Sequence, residues 1–459
     1  MRLQSKKLNQ PLLPPIIAGI FFLSLVYWLY LACTTRMDIV YDAIEYQNLG
    51  KLLNTQGWIE YFKVGPCREP IYPFLVSISM HLESVTGLAY VKIMAFFGVF
   101  LLLLTQALTY IILRLLNIRN SICALTLIYL ALSPCVNNSA FSLFSEIAEI
   151  PFVLCIILTS YFSWESIKKN THLASFFYGL LLGLSLALAT FVKDVFEGAA
   201  PAFLIVLFIT IYSTNKKLTA SFLLCLVTAV SFYAVPINAY KWLNWEYNGT
   251  FALANRASLR LYSTAAQRTE PLTIKKLAVA LAYVPGEGVC NSIFGPKDCF
   301  YWSFQGADVL GDKLKLKHFR TKQLNTTVLY KAEYKILQDP FEFTLFTCVE
   351  GLKMFFWEST QIGFVQYPHW LQRIYDFKIF NNALRFLLSL LTFIAVFDLW
   401  IESFKPERSP IGFLIGVLIF FYALFFALFL LITRYMIPIV PLYLIAISMW
   451  FNKILAPKK

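Results

Sequence analysis

The chain has 459 residues, of which 58% are hydrophobic and 14% are charged, whereas about a quarter of the residues are charged in soluble proteins. Its mean hydropathy is +0.64. A water-soluble domain needs a polar shell around its core, so this composition excludes one, and it also excludes a disordered chain or a small disulfide-rich scaffold. The sequence therefore predicts an all-α polytopic membrane protein.

The charge balance is strongly basic. Lys and Arg number 39 and Asp and Glu number 26, which gives a formal charge of +13. The basic residues are scattered between apolar runs rather than gathered on one face, and this argues against a nucleic-acid partner. The excess is instead typical of the cytoplasmic connections of membrane proteins, which collect Lys and Arg.

Ten apolar runs predict about ten transmembrane helices, since a span needs roughly 20 residues. The first run follows a short basic N-terminus and lacks the cleavage site of a signal peptide, which indicates a permanent span. Some runs are short, so tilted or re-entrant helices are an alternative for them. The runs lie near residues 12–33, 90–113, 122–135, 147–164, 176–192, 199–211, 219–236, 382–401, 411–432 and 436–451.

Alternate threading of these runs predicts the topology. It places basic connections, such as those at Lys168 and Lys216, on the side of the N-terminus, which the positive-inside rule assigns to the cytoplasm. The C-terminus falls on the same side. The predicted divisions are a transmembrane core at 1–237 with a first outer loop at 34–89, an outer region at 238–381, and C-terminal spans at 382–459.

Two features of the outer region are predicted from local patterns. Apolar residues at helical spacing in 340–357 indicate an amphipathic helix that lies in the membrane interface. Cys290 and Cys299 flank a Gly-Pro turn, which predicts a local disulfide if the compartment is oxidising.

The first outer loop contains the most informative acids. Asp38, Asp42 and Glu45 are spaced four and three residues apart, so that a helix would place them on one face. A solvated helix face is the plain interpretation. The apolar residues between the acids make the helix amphipathic, however, and a carboxylate at the edge of an apolar cavity is a candidate base. The residues alone leave both interpretations open.

The motifs of this loop resemble a known family. The run Asp42-Ala-Ile-Glu45-Tyr46, followed by Arg68-Glu-Pro-Ile-Tyr72-Pro, is similar to the opening loop of the glycosyltransferase C superfamily, especially its protein O-mannosyltransferase and lipid A aminoarabinose transferase members. Further similarities follow in chain order, at Ser145-Glu146, at Gly179 to Lys193, at Asp339-Pro-Phe341 and at Arg434-Tyr435. The resemblance covers most of the chain except the middle of the second loop.

The resemblance implies an enzyme that takes a sugar from a polyprenyl-phosphate donor at the outer membrane face. Transfer would invert the anomeric carbon, and the acceptor would be a lipid, a glycan or a protein. Asp42 is the implied base or orienting carboxylate and Glu45 the second carboxylate. Several relatives carry two adjacent acids where this chain has Asp42 and Ala43, so the base stays open between Asp42, Asp38 and Glu45.

The departing lipid phosphate requires fixed cations, and the rigid fork of Arg suits phosphate. The other implied substrate-binding residues are Arg68, Glu69, Tyr72, Glu146, Lys193, Arg434 and Tyr435, with Arg256 and Arg260 as weaker candidates. Each charged candidate also has a plain structural interpretation: headgroup contact for Arg434, an ion pair with Asp194 for Lys193, a pair between Arg68 and Glu69, and helix capping for Glu146.

No cofactor is predicted. Some members of the superfamily use a divalent metal, but His81 and Glu83 supply only two ligands in the first loop, and two ligands do not make a site. The compact loops favour a bacterial inner membrane, with lipopolysaccharide or protein as the glycosylated product.

Two other functions are compatible with about ten spans. The main alternative is a transporter or flippase of lipid-linked sugars, which would carry charged residues in mid-membrane, whereas charge here gathers at the ends of the apolar runs. A polymerase or ligase of surface glycans also has a large outer loop, but the acid motif of the first loop argues against it. The sequence identifies neither the donor sugar nor the acceptor.

Overall fold

A computed structural model describes residues 14–254, 257–269, 271–303, 305–307, 309, 322–359, 364–405 and 409–456. Arg256, one of the weaker predicted cations, lies outside the described residues. Within the described chain the fold is almost entirely helical, and the predicted all-α polytopic class is confirmed.

The elements are numbered here in chain order. The helices are α1 (Pro15–Thr34), α2 (Asp42–Val64), α3 (Ile71–Thr86), α4 (Tyr90–Leu115), α5 (Asn120–Leu132), α6 (Pro134–Ala140), α7 (Glu146–Lys168), α8 (His172–Val192), α9 (Phe196–Asn215), α10 (Ala220–Asn248), α11 (Ala257–Arg268), α12 (Ile274–Tyr283), α13 (Glu287–Phe294), α14 (Pro296–Phe300), α15 (Lys322–Gln338), α16 (Pro340–Gly351), α17 (His369–Asp376), α18 (Lys378–Ser403), α19 (Pro410–Phe429) and α20 (Val440–Ile454). Two 3-10 segments, Leu352–Phe355 and Thr433–Ile439, and two short strands, β1 (Arg36–Met37) and β2 (Val365–Gln366), complete the described elements.

Nine helical units in the described chain are long and apolar enough to cross a membrane. They are α1, α4, α7, α8, α9, α10, α18, α19 and the unit Thr433–Ile454, which joins a 3-10 segment to α20. The pair α5 and α6 is a tenth candidate, with a bend of 51° between its halves. All ten predicted apolar runs therefore lie in helices.

The bend between α5 and α6 follows from a proline. Pro134 has no N–H and disfavours helical backbone at Ser133, so α5 ends and α6 begins with Pro134 in its first turn. The carbonyl of Ala131, freed at the break, accepts hydrogen bonds from Trp28 Nε1 at 3.2 Å and Asn137 Nδ2 at 3.0 Å. Buried backbone in a membrane requires such side-chain partners.

Glycines set the closest helix contacts of the bundle. A Cβ on Gly179 or Gly183 of α8 would lie 2.7 Å or 2.5 Å from carbonyl oxygens of α10, so that only glycine permits this approach. In α9, a Cβ on Gly198 would lie 2.6 Å from Cδ1 of Phe425 on α19. The helices α9 and α10 are consecutive, but each packs closely against a different neighbour.

One end of the bundle carries both long connections between spans, and we call it the site end. The first connection contains β1, α2 and α3, and the second contains α11 to α17 and β2. The strands β1 and β2 pair antiparallel and join the two connections. The ammonium of Lys92 donates to the carbonyls of Ala32, Cys33 and Thr35 at 3.0–3.1 Å, which satisfies the end of α1 from which the first connection leaves.

The second connection has its own small apolar core. Cys290 and Cys299 form the predicted disulfide between α13 and α14. The predicted helix at 340–357 is shorter than expected, since α16 ends at Gly351 and a 3-10 turn follows. It buries Phe346 against Trp302, while Phe341 is exposed. The division of the chain at residues 237 and 381 stays a prediction.

Candidate active site

Five segments of the chain meet at the site end. They are the start of α2, the connection between α2 and α3, the start of α7, the connection between α8 and α9, and the 3-10 segment that begins at Thr433. The backbone turns sharply at Tyr41, whose φ is +50°, so that α2 begins at Asp42. A carboxylate in the first turn is stabilised by the helix dipole.

Asp42 lies between two arginines. Its Oδ2 accepts a hydrogen bond from Arg434 Nη2 at 2.6 Å, and its Oδ1 accepts one from Arg68 Nη2. The Nε of Arg68 also donates to Glu45 Oε2 at 3.0 Å. The Asp42 side chain is 28% exposed and that of Arg68 only 8%, so the carboxylate stands at the open edge of a buried cationic pair.

A second pair of charges lies deeper. Glu146, the first residue of α7, is buried, and its Oε1 accepts a hydrogen bond from Lys193 Nζ at 3.2 Å. The same oxygen lies 3.1 Å from Arg434 Nε. Arg434 therefore connects Glu146 to Asp42, although the two acids come from connections about 100 residues apart in sequence.

A pair of carboxyl groups joins the two connections on the other side of these cations. The backbone N–H of Asp194 donates to Glu69 Oε1 at 3.2 Å, and the two side chains are in contact. Burial, with the adjacent Glu69, raises the pKa of Asp194 to about 7. A proton held between the two groups removes the repulsion that two carboxylates would otherwise have.

Aromatic rings hold the cations in place. Arg68 lies 4.9 Å from the ring centroid of Tyr46, Lys193 lies 5.0 Å from that of Tyr435, and Arg434 lies 4.3 Å from that of Phe144. Two of these rings are supported by further contacts: the Tyr46 hydroxyl donates to Ser145 Oγ at 3.1 Å, the Tyr72 ring is 4.9 Å from the Tyr46 ring, and the Phe144 ring is 4.5 Å from the Phe364 ring.

The ionisation states follow from these contacts. Burial raises the pKa of Asp42, but the charges of Arg68 and Arg434 lower it by more, so it lies well below its usual range. Burial lowers the pKa of Lys193, but Glu146 together with Tyr46, Tyr435 and Glu69 raises it by more, so the lysine stays protonated. The resting site is a network of paired full charges.

The free space in this network is small. A narrow cleft is lined by Glu146, Arg434, Phe144 and Phe364, among others, and its cavity volume, measured as room for water-sized molecules, is about 0 Å³. Sites for small molecules usually measure about 300 Å³ or more. A sugar phosphate would therefore have to part the ion pairs in order to bind.

The structure brings together the predicted residues Asp42, Glu45, Arg68, Glu69, Tyr72, Glu146, Lys193, Arg434 and Tyr435. For Arg68 and Lys193 the plain alternative is not the arrangement observed, because Arg68 pairs with Asp42 rather than Glu69, and Lys193 pairs with Glu146 rather than Asp194. Arg260 lies on α11 in the second connection.

The predicted acid face of three residues is wrong at Asp38. This residue precedes α2, its N–H donates to the carbonyl of Phe364 at 2.9 Å, and its carboxylate accepts from Gln366 Nε2 at 3.0 Å. The strand-like pairing of β1 with β2 extends the chain here, and the helix starts only at Asp42.

Two acids near the site were missed by sequence reasoning. Asp194 was considered only as an ion-pair partner of Lys193. Glu149 is fully buried one turn after Glu146, beside Tyr422, and it lies inside a span. The spacing of three residues from Glu146 inside an apolar run was a usable signal, since an acid within a span is unusual.

Metal binding is not decided by the geometry. In the part of the chain that the structure describes, no three His, Cys, Asp or Glu side chains are close enough to hold a metal ion. The expected independence from a metal stays a prediction.

Residues 72–250 match the family model of dolichyl-phosphate-mannose-protein mannosyltransferases. This stretch is similar to the protein mannosyltransferases. That family belongs to the glycosyltransferase C superfamily, so the resemblance predicted from the sequence motifs is confirmed. Together with the membrane-crossing helices of the described chain, this likeness supports an integral, multi-pass membrane protein. No curated protein matches the chain.

Proposed function

We propose that this chain transfers a sugar from a polyprenyl phosphate to an acceptor hydroxyl, with inversion at the anomeric carbon and with Asp42 as the base. The observation that carries the proposal is the position of the Asp42 carboxylate between the guanidinium groups of Arg68 and Arg434. The description of the matched family names a mannosyl donor and a protein acceptor. A protein hydroxyl is accordingly the first acceptor to test, before a lipid or a glycan.

The cations of the site suit the leaving group. The phosphate of a polyprenyl-phosphate sugar carries one negative charge and gains a second as the bond to the sugar breaks. Arg68 and Lys193 are buried and the Arg434 side chain is 13% exposed. All three are already oriented by rings and carboxylates, so they need little reorganisation to stabilise that charge. The bidentate fork of each arginine matches two phosphate oxygens.

Donor binding would also convert Asp42 into a usable base. In the resting site the two arginines keep the pKa of Asp42 low, so its carboxylate has little affinity for a proton. A phosphate that takes over hydrogen bonds from Arg68 and Arg434 would weaken their hold on Asp42 and raise its pKa. The base is then competent only after the donor is in place.

The proposed transfer is a single displacement at the anomeric carbon. The acceptor O–H bond breaks and its proton passes to the Asp42 carboxylate, while the acceptor oxygen forms a bond to the anomeric carbon. The bond between that carbon and the phosphate oxygen breaks on the opposite face, and its electron pair stays on the phosphate. The products are an inverted glycoside and a polyprenyl phosphate held by the cations.

The proposed orientation places the site end on the outer face of the membrane. Basic connections, including those at Lys168 and Lys216, lie at the other end of the spans, which the positive-inside rule assigns to the cytoplasm together with both termini. The disulfide between Cys290 and Cys299 at the site end fits an oxidising compartment. A bacterial inner membrane would meet these conditions.

A transporter of lipid-linked sugars is the function to separate experimentally. The chain is reconstituted in vesicles with a polyprenyl-phosphate sugar, and both the covalent product and the movement of donor across the bilayer are measured. We expect product, and a loss of about 10²–10⁴-fold in its rate for Asp42→Asn, as for the removal of a general base.

Asp38→Asn is the matched control, because Asp38 lies four residues earlier and binds Gln366 instead of an arginine. It should keep the activity of the unsubstituted chain. Product formation that survives Asp42→Asn would refute the assignment of the base, and movement without product would favour the transporter.

A further inference from the structure

Glu149 is a carboxyl group buried inside a span. It lies on α7, one turn after Glu146, and its exposed fraction is 0%. The helix α7 is one of the units that are long and apolar enough to cross a membrane. An ionisable side chain at such a position is costly and usually has a function. The transfer reaction proposed above uses Glu146 but gives Glu149 no task.

The surroundings of Glu149 favour its neutral form. Within the part of the chain that the structure describes, neither of its two oxygens accepts a hydrogen bond. Lys193, whose charge acts on Glu149, is paired with Glu146 at 3.2 Å. An ionised Glu149 would be a buried charge with neither a donor nor a cation paired to it, which an apolar interior strongly disfavours. A protonated carboxyl group avoids this cost and has one O–H to donate.

Tyr422 on α19 is the polar group beside Glu149. Its hydroxyl is next to the carboxyl group, and both side chains are fully buried. The hydroxyl has a single proton, which it donates to the carbonyl of Tyr435 at 3.0 Å. It therefore cannot donate to Glu149 as well, but its oxygen still has lone pairs with which to accept a hydrogen bond. A protonated Glu149 supplies the matching donor.

The carbonyl of Tyr435 belongs to the segment that carries cationic contacts of the site. This 3-10 segment, Thr433–Ile439, includes Arg434, whose Nη2 donates to Asp42 at 2.6 Å. The ring of Tyr435 lies 5.0 Å from the ammonium of Lys193. A hydrogen bond to the Tyr435 carbonyl thus fixes the backbone next to Arg434 and the ring that contacts the lysine.

We propose that Glu149 is a neutral carboxylic acid in the folded protein and a positioning residue for Arg434. Its O–H donates to the hydroxyl of Tyr422, which in turn holds the carbonyl of Tyr435, and each hydrogen bond in such a chain polarises the next. In the described chain Glu149 is not among the residues that line the cleft at Arg434, so it acts through the backbone of the 3-10 segment. The effect on sugar transfer rests on the proposed function, whereas the protonation of Glu149 does not.

The first experiment measures protonation by difference infrared spectroscopy of the purified full chain near neutral pH. The C=O stretching band of a protonated carboxyl group is separate from those of carboxylates and amides. One such band should be lost in Glu149→Gln, while the pair of Asp194 and Glu69 contributes to both samples and cancels. Glu165→Gln is the matched control, because Glu165 lies on the same helix and pairs with Lys169 at 3.6 Å. It should lose no such band.

The second experiment measures kcat per folded molecule in the transfer assay. Glu149→Gln keeps an N–H that can donate to Tyr422, so its kcat should stay within about twofold of the unsubstituted chain. Glu149→Leu has a similar size but no donor, and its kcat should fall roughly three- to tenfold, the effect of one neutral hydrogen bond. Tyr422→Phe removes the hydroxyl itself and should lower kcat at least as much.

A double variant tests whether Glu149 acts through Tyr422. Glu149→Leu combined with Tyr422→Phe should be no slower than Tyr422→Phe alone, because the donor has nothing to act on once the hydroxyl is absent. A merely structural role would change the yield of folded protein but not this pattern of kcat. If Glu149→Leu does not fold, the comparison of Tyr422→Phe with Glu149→Gln tests the same hydrogen bonds.

The outcomes separate this proposal from the proposed function. If Glu149→Gln loses no carboxylic acid band, Glu149 is ionised and the proposal is overturned, while sugar transfer can still be observed. It is also overturned if Tyr422→Phe keeps the full kcat, if Glu149→Gln is as slow as Glu149→Leu, or if the effects of the two substitutions multiply in the double variant. If the unsubstituted chain forms no product, the proposed function and the positioning role fail together, and the infrared result still decides the protonation of Glu149.

Discussion

Two carboxylates, the buried Glu358 and the half-buried Asp42, are bound by partners of different kinds. Glu358 lies beside the break between α5 and α6, where it accepts hydrogen bonds from the Tyr129 hydroxyl, from Ser133 Oγ at 2.8 Å and from the backbone N–H of Cys135 at 3.0 Å. All of these donors are neutral. Asp42, in contrast, is held by two guanidinium groups.

The difference indicates what each carboxylate does. The donors around Glu358 belong to a fixed break in a helix, so they satisfy the carboxylate permanently and join the end of the second connection to the span. The cations around Asp42 can exchange a carboxylate for a phosphate without loss of a hydrogen bond. One cluster holds the fold together, and the other is suited to a substrate.

After the loss expected for Asp42→Asn, the largest effect is expected at Arg434, which connects Asp42 to Glu146. Arg434→Gln removes a cation that stabilises the leaving phosphate and should lower kcat/KM about 100-fold or more. Arg434→Lys keeps the charge but loses the fork, and it should recover part of this loss. Transfer rates at low donor concentration measure both. Equal rates for the two variants would show that geometry, rather than charge, is what the arginine supplies.

The next largest effect is expected at Glu358, where a substitution should lower the stability of the fold and not the activity. Glu358→Gln places an amide among four donors, one of them the backbone N–H of Ser359, so at least one donor loses its acceptor, and the free energy of unfolding should fall by roughly 2–3 kcal/mol. Thermal unfolding of the purified chain measures this loss, with Glu60→Gln on the exposed face of α2 as the control. Transfer per folded molecule should be unchanged. A variant with normal stability but no activity would reverse the roles assigned to the two clusters.

A smaller effect is expected at Glu45, the second carboxylate on Arg68. Its side chain is 33% exposed, and an ion pair at such a position contributes at most about 1 kcal/mol. Glu45→Gln should therefore change kcat/KM by no more than roughly fivefold, as measured in the same transfer assay. A loss as large as that of Asp42→Asn would make Glu45 the base instead.

The smallest effect concerns pH and the pair of Asp194 and Glu69. The pKa of Asp194 is about 7 in the folded chain and 3.8 ordinarily, so the folded chain holds a proton that the unfolded chain has released. The contribution of Asp194 to the free energy of unfolding is fully present below pH 3.8. It falls as the pH rises from 3.8 to about 7 and is constant above that.

Asp194→Asn removes this dependence, because the amide does not ionise. The melting temperature of the variant relative to the unsubstituted chain should be higher at about pH 8 than at about pH 5. Glu60→Gln serves again as the control. An identical difference at both pH values would show that Asp194 is ionised in the folded chain.

Much of the fold could be predicted, since the bilayer imposes length and apolarity on each span. The ten runs all became helices, and the pair of cysteines around the Gly-Pro turn became a disulfide. The start of α2 could not be predicted, because it depends on the pairing of β1 with β2, which are more than 300 residues apart. That pairing moved Asp38 away from the acid face.

The members of the site were predicted one at a time, but their partners were not. Neighbours in sequence suggested pairs of Arg68 with Glu69 and of Lys193 with Asp194. In the structure Arg68 pairs with Asp42 and Lys193 with Glu146, while Glu69 and Asp194 bind each other. Sequence spacing carries no information on such long-range contacts. Glu358 was missed because a single acid after an apolar run gives no hint of the helix break that it satisfies.

The nine helical units that are long and apolar enough to cross a membrane, in the part of the chain that the structure describes, have a kinetic consequence. The polyprenyl-phosphate donor that we propose is dissolved in the same bilayer, so the concentration that governs its encounter with the protein is its mole fraction among the lipids and not its amount per volume of water. Saturation of the transfer reaction would then follow the composition of that two-dimensional solvent.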